Sequence, residues 1–71
     1  MVRLNLRALL RAKGMTGYRL AKETGLSLNT IYRLVGNRAA RIELETIDLL
    51  CAALDVAPGE LFTRGAGKGR A

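Results

Sequence analysis

The apolar residues of this chain recur at the spacing of helices rather than strands, and the helical segments are short. Amphipathic helices of this kind bury their apolar faces by packing against each other. A chain of 71 residues has room for a single domain, and an apolar share of 49% is typical of a packed core rather than disorder. The sequence therefore predicts an all-α fold, a compact five-helix bundle.

Capping residues and glycines set the helix boundaries. Asn5, Thr16 and Ser27 are predicted N-caps, and Gly14 and Gly25 follow the ends of the first two helices. The predicted domain comprises residues 1–62, and residues 63–71, which are glycine-rich and basic, are expected to form a flexible tail. The predicted helices cover residues 6–13, 17–24, 28–35 and 44–54, with a short fifth helix that begins at Pro58 and carries Leu61 and Phe62.

One arc of the fourth helix is expected to face the core. Leu49 lies outside this arc and leaves two alternatives open. It either forms an exposed apolar patch with Val56, Leu61 and Phe62, which would be a dimer interface, or it is covered by the first or fifth helix of the same chain. The predicted core arc contains Leu44, Ile47, Leu50, Cys51 and Leu54.

The basic residues are concentrated in the first part of the chain. Residues 1–41 contain nine basic and one acidic side chains, a net charge of +8, whereas residues 42–71 contain three basic and five acidic ones, a net charge of −2. Segregated positive charge is typical of polyanion binders, because each neutralised phosphate releases condensed counterions. An anionic membrane surface is a weaker alternative, since it would favour one basic amphipathic helix.

The composition offers little support for an enzyme. The chain has no histidine and a single cysteine, Cys51, so it contains neither a Cys/His metal set nor a Ser-His-Asp or Cys-His pair. We expect Cys51 to be a buried structural thiol. No cofactor or small-molecule ligand is implied, and without a membrane span or a secretory signal we expect a cytoplasmic protein.

Residues 16–34 carry the most specific pattern in the chain. Ala21 is small enough to let a second helix approach, and Gly25 can adopt the left-handed conformation that a tight turn requires. Leu20 on one helix and Ile31 and Leu34 on the next close the core between them. Two short helices joined in this way predict a helix-turn-helix.

These residues, with the helix at 44–54, resemble the phage repressor and Cro-type family, also called the xenobiotic-response-element family of bacterial regulators. The resemblance covers residues 4–62. It implies a lambda-repressor-like bundle, double-stranded DNA as partner, and a homodimer on a pseudo-palindromic operator. The implied function is a sequence-specific transcriptional regulator, specifically a repressor. Gly17 departs from the family, which commonly has a glutamine there that contacts a phosphate.

The predicted recognition helix, residues 28–35, presents one face away from the core. On an ideal helix that face carries Leu28, Asn29, Tyr32 and Arg33. Because asparagine pairs with adenine and arginine with guanine in a major groove, we expect Asn29 and Arg33 to read bases. Leu28 is expected to contact a thymine methyl group and Tyr32 the backbone or sugar. The alternative is that these four residues form only the solvated face of a core helix.

The resemblance also implies phosphate contacts, which position a protein without selecting a sequence. Thr16 and Gly17 are expected to contribute through the backbone at a helix N-terminus. By family position the contacts fall on Thr16, Gly17, Ser27, Asn37, Arg38 and Arg41. A solubilising surface is the simpler explanation for the other basic residues of this region, namely Arg7, Arg11, Lys13, Arg19 and Lys22.

A function of another class stays open at this point. The missing glutamine at Gly17 is compatible with a fold retained as a protein-interaction module, such as an antitoxin or accessory subunit, that uses its apolar patch to hold a partner. RNA binding is a weaker alternative, because only three aromatic residues are available to stack on bases.

Overall fold

The computed structural model describes residues 2–64 and contains the five predicted helices, flanked by two short strands. The helices α1 to α4 cover the expected ranges, and α5 begins at Pro58 as expected. The elements in chain order are β1 (Val2–Leu4), α1 (Leu6–Lys13), α2 (Gly17–Thr24), α3 (Leu28–Val35), α4 (Leu44–Leu54), α5 (Pro58–Leu61) and β2 (Phe62–Arg64).

The all-α prediction is corrected by a two-stranded antiparallel sheet, β1 with β2, which joins the two ends of the described chain. Phe62 therefore begins a strand instead of ending α5, and Thr63 and Arg64 are paired residues rather than part of a tail. Strands of three residues are too short for an alternating pattern to appear in the sequence. Residues 65–71 lie outside the described residues. The register pairs Val2 with Arg64, Arg3 with Thr63, and Leu4 with Phe62.

The core lies where the five helices meet. Each helix contributes at least one buried apolar side chain, so the bundle has a single continuous core. Among residues 2–64, no helix has the length and apolar character needed to cross a bilayer. The side chains with almost no solvent exposure are Leu6, Leu20, Ile31, Leu50, Leu54 and Leu61.

Two predictions about apolar positions are wrong. Leu44, which was expected in the core arc of α4, is 83% exposed. It is the first residue of α4, and a helical angle sets the direction of a side chain without ensuring that another element lies opposite it. Leu61, which was expected in a possible dimer patch, is fully buried because α5 packs against α4.

The rest of the predicted dimer patch is largely covered within one chain. Val56 and Phe62 are half-buried and pack against the core. Leu49 is also half-buried. The two alternatives for Leu49, coverage within one chain and an exposed patch, both stay predictions.

Candidate nucleic-acid interface

The two helices of the helix-turn-helix, α2 and α3, both begin at a capped residue. The Thr16 hydroxyl oxygen accepts a hydrogen bond from the backbone N–H of Arg19 at 3.1 Å, and Ser27 accepts one from Thr30 at 3.1 Å. Each bond satisfies an amide that the helix itself leaves unpaired. These two predicted caps are confirmed. Asn5 occupies the N-cap position of α1, but its side chain makes no capping bond.

The turn between α2 and α3 is fixed by a glycine and a buried hydroxyl. Gly25 has a φ of 79°, the left-handed conformation that the sequence predicted. Thr24 is only 8% exposed, and its hydroxyl donates to the Leu20 carbonyl at 2.8 Å and accepts from the Leu26 N–H at 3.2 Å. Thr24 therefore ties the last turn of α2 to the residue that follows Gly25.

Helix α3 has a buried face and an exposed face. Ile31 and Leu34 are buried in the core. The helix therefore stands at the surface, and its outward face is the one that the helical pattern predicted. The exposed residues on that face are Leu28, Asn29, Tyr32 and Arg33.

Tyr32 packs against the first residue of α2. A Cβ atom at Gly17 would lie 3.2 Å from Tyr32 Cε1 and 3.5 Å from Ile31 Cγ2. The first distance is shorter than an ordinary van der Waals contact, so a side chain at Gly17 would press on the ring. The glycine therefore lets the tyrosine ring lie on the start of α2, although the ring remains 52% exposed. A larger residue at position 17 would therefore require the ring to shift.

Two predicted contact residues from different elements line one cleft. Arg33 of α3 and Arg41 of the following loop border a cleft of about 360 Å³, together with Thr30. Arg38 lies beside Gly36, at the end of α3. None of these three arginines forms an ion pair within residues 2–64. Glu43 also lines the cleft, where two arginines outnumber this one acidic side chain.

Asn37 has a structural role that the sequence did not predict. Its side-chain oxygen accepts from the Leu4 N–H at 2.6 Å, and its side-chain nitrogen donates to the Leu4 carbonyl at 3.1 Å. With a φ of 56°, Asn37 also ends α3, because its N–H donates to Leu34 while the Arg38 N–H donates to Arg33. These bonds form a Schellman motif. Asn37 thus ties the end of α3 to β1.

The other basic residues differ in their surroundings. Arg19 forms an ion pair with Glu23 at 3.1 Å, and the Lys22 ammonium lies 5.8 Å from the centre of the Tyr18 ring. Both are exposed and have partners on their own helix. The basic residues of α1 are exposed as well, and two of them belong to a second cleft described below.

Cys51 is part of the core. The side chain is buried, and burial raises the pKa of its thiol; the carboxylates of Asp48 and Glu60 raise it further. Since the thiolate is the reactive form, the thiol is protonated and unreactive near neutral pH. No group of three or more metal-ligating His, Cys, Asp or Glu side chains occurs in the part of the chain that the structure describes.

Comparisons with known proteins agree with this geometry. A family model for the Cro/C1-type HTH DNA-binding domain matches residues 5–66. The structure is similar to the crystal structure of a candidate DNA-binding protein from Bacteroides fragilis, with a TM-score of 0.80, 28% sequence identity, and coverage of 89% of this chain and all of that one. Curated protein sequences contain no match. Because the family model spans most of the chain, the protein belongs to the Cro/C1-type helix-turn-helix DNA-binding family.

Proposed function

We propose that this protein is a sequence-specific transcriptional regulator, a repressor, that reads the major groove of double-stranded DNA with α3. The observation that carries the proposal is the division of α3 into a buried row and an exposed row. The buried row holds the helix on the bundle. The exposed row combines hydrogen-bonding, basic and apolar side chains, which are the types that major-groove recognition uses.

Each residue of the exposed row has a proposed role. Asn29 pairs with an adenine edge and Arg33 with a guanine edge, because both side chains have the matching donors and acceptors. Leu28 contacts a thymine methyl group. Tyr32 contacts the DNA backbone or a sugar, since its ring already rests on α2 and is thereby held at the side of the recognition helix.

Phosphate contacts in this proposal surround α3. Arg38 and Arg41 lie on the loop that follows it, and Ser27 lies at its N-terminus. The backbone at Thr16 and Gly17 adds the N-terminus of α2. Asn37 belongs to this set through the second N–H of its amide, because its oxygen and its other N–H are bonded to Leu4.

The protein is further proposed to act in the cytoplasm as a homodimer on DNA. Two copies related by a two-fold axis place their recognition helices in successive major grooves about 34 Å apart. Selection of bound duplexes from a random DNA pool would measure the sequence and the spacing of the two half-sites. A selected consensus with two inverted half-sites supports the dimer, and a single half-site contradicts it.

The test of base reading is Arg33→Ala. We expect this variant to lose about 1–3 kcal/mol of binding free energy on the selected duplex and to relax the preference at one base position. Lys13→Ala, which removes a positive charge from α1, is the matched control and should keep the preference at every position. If Arg33→Ala binds selected and scrambled duplexes with the same ratio of affinities as the wild type, the role of Arg33 is wrong.

The alternative function, a protein-interaction module such as an antitoxin or accessory subunit, rested on Gly17. The Tyr32 ring gives this glycine a packing reason. The same selection separates the two functions, because a module that binds only protein enriches no DNA sequence from the pool.

A further inference from the structure

A second cleft brings together three arginines that are far apart in the sequence. Arg7 and Arg11 stand one helical turn apart on α1, and Arg3 lies on β1. The cleft has a volume of about 450 Å³, and its other wall is the C-terminal end of α3, residues 35–37. Arg3 reaches this position because β1 is held by β2 on one side and by Asn37 on the other.

These three arginines have no acidic partner within residues 2–64. The only ion pair there joins Arg19 to Glu23, and no residue that lines the cleft is acidic. Three like charges around one cleft repel each other, and an anion between them would relieve this repulsion. The arrangement therefore differs from that of Arg19, whose charge is already matched on its own helix.

Hydrogen bonds weaken the negative charge at the end of α3. A helix C-terminus carries partial negative charge on carbonyl groups that lack partners. In α3, the carbonyls of Arg33 and Leu34 accept hydrogen bonds from the N–H groups of Arg38 and Asn37. These bonds reduce the partial negative charge at the end of α3, and the three arginines that line the cleft supply the positive charge that a negative ligand requires.

We infer that Arg3, Arg7 and Arg11 form a phosphate-binding cleft that holds the DNA backbone beside the base pairs contacted by α3. Guanidinium groups bind phosphate oxygens in a bidentate geometry, which suits this ligand. DNA is favoured over an acidic protein because the cleft shares α3 with the exposed face proposed to read bases, and a further arginine, Arg38, lies beside Gly36 at the end of α3. This inference rests on the proposed function.

The test compares Arg7→Ala/Arg11→Ala with Lys13→Ala, which removes a charge from α1 outside the cleft. Binding of fluorescein-labelled duplexes, selected and scrambled, is measured by anisotropy over a series of KCl concentrations. Each lost phosphate contact should lower the slope of log affinity against log salt by about 0.9, so the double variant should lose up to about 1.8. Both duplexes should weaken by the same factor, and Lys13→Ala should keep the wild-type slope.

A second variant, Arg3→Ala, removes the third arginine without changing α1 and should lower the slope by about 0.9. Thermal unfolding of each variant is measured alongside, and the removal of like charges should leave the midpoint unchanged or raise it. If both cleft variants keep the wild-type salt slope on a duplex that the wild type binds, the inference that the cleft binds phosphate is wrong. The proposed function is not affected by that result. Changed preference between the two duplexes also overturns the inference, because a phosphate contact does not select sequence. Failure of the wild type to bind any duplex overturns the proposed function and the cleft together.

Discussion

Gly17 and Tyr32 act as a pair, although they lie on different helices. Glycine is a poor residue for the first turn of a helix, because it loses more backbone freedom on folding than other residues do. At Gly17 the absence of a side chain leaves room for an aromatic ring, which would otherwise stand 3.2 Å from a Cβ atom. At Gly17, some stability of α2 is therefore given up so that the Tyr32 ring can pack against the start of that helix.

Gly17→Ala should separate these two effects. Alanine favours helix by up to about 1 kcal/mol over glycine, and the half-exposed Tyr32 ring can move aside, so the free energy of unfolding should stay level or rise. Affinity for the selected duplex should fall because the ring is displaced. Urea unfolding and DNA titration measure the two quantities. Gly59→Ala is the control, since its added Cβ has no atom within 4 Å, and it should leave affinity unchanged. Equal affinities for both variants would contradict the pairing.

At the scale of elements, the end of α3 is joined to the sheet by one side chain. Asn37 adopts a left-handed conformation, closes α3, and bonds to both backbone groups of Leu4. In an antiparallel strand the N–H and C=O of one residue point to the same side, so Asn37 covers an edge of β1 that would otherwise be unpaired. Position and orientation of the loop after α3 are therefore linked to β1.

Two substitutions at Asn37 should separate the contribution of its hydrogen bonds to Leu4 from that of its left-handed backbone conformation. Asn37→Gly keeps the left-handed backbone but removes two hydrogen bonds, at a cost of about 1–3 kcal/mol in the free energy of unfolding. Asn37→Ala should cost about 1–2 kcal/mol more, because alanine strains this conformation. Urea unfolding gives both values. Asp55→Gly is the control, since Asp55 also has a left-handed φ, 57°, at the end of a helix, and this substitution should cost little. An Asn37→Gly variant as stable as the wild type would show that the bonds to Leu4 contribute nothing.

The sequence predicts the local elements of this fold better than their long-range partners. Thr16, Ser27 and Gly25 act within a few residues of themselves, so their signals for helix ends can be seen in the sequence. The pairing of β1 with β2 joins residues at opposite ends of the chain, and three-residue strands leave no periodic signal. The role of Asn37 was missed for the same reason, because its partner Leu4 belongs to an element that the sequence did not reveal.

The same limit applies at the scale of the whole molecule. The helical wheel of α3 predicted which face is exposed, since that depends on residues within one helix. The sequence did not predict that Leu44 is exposed or that Arg3 joins the cleft of Arg7 and Arg11. Both facts depend on which elements lie opposite each other in the fold. The segregated charge of the sequence predicted a polyanion as partner. The positions of the arginines relative to each other could be seen only in the structure.

Cys51 reports on the stability of the whole molecule. The thiol is buried on α4, and its pKa is raised by burial and by the carboxylates of Asp48 and Glu60. Because the folded protein holds the thiol proton more tightly than the unfolded chain does, this group contributes its full stability below the ordinary pKa of a thiol. The contribution falls as the pH rises above that value. Near neutral pH, a thiol reagent should therefore label Cys51 by way of unfolded molecules.

This behaviour makes thiol labelling a second measure of DNA binding. A ligand that binds only the folded state reduces the unfolded fraction by the factor 1 + [L]/Kd, so the selected duplex should slow labelling about 100-fold at a free concentration of about 100 times its Kd. The scrambled duplex at the same concentration should slow it less, and Cys51→Ala should show no labelling. If a saturating amount of selected duplex leaves the rate unchanged, the thiol is reached through local opening of α4. Such a result would show that the core of this small bundle does not open as one unit.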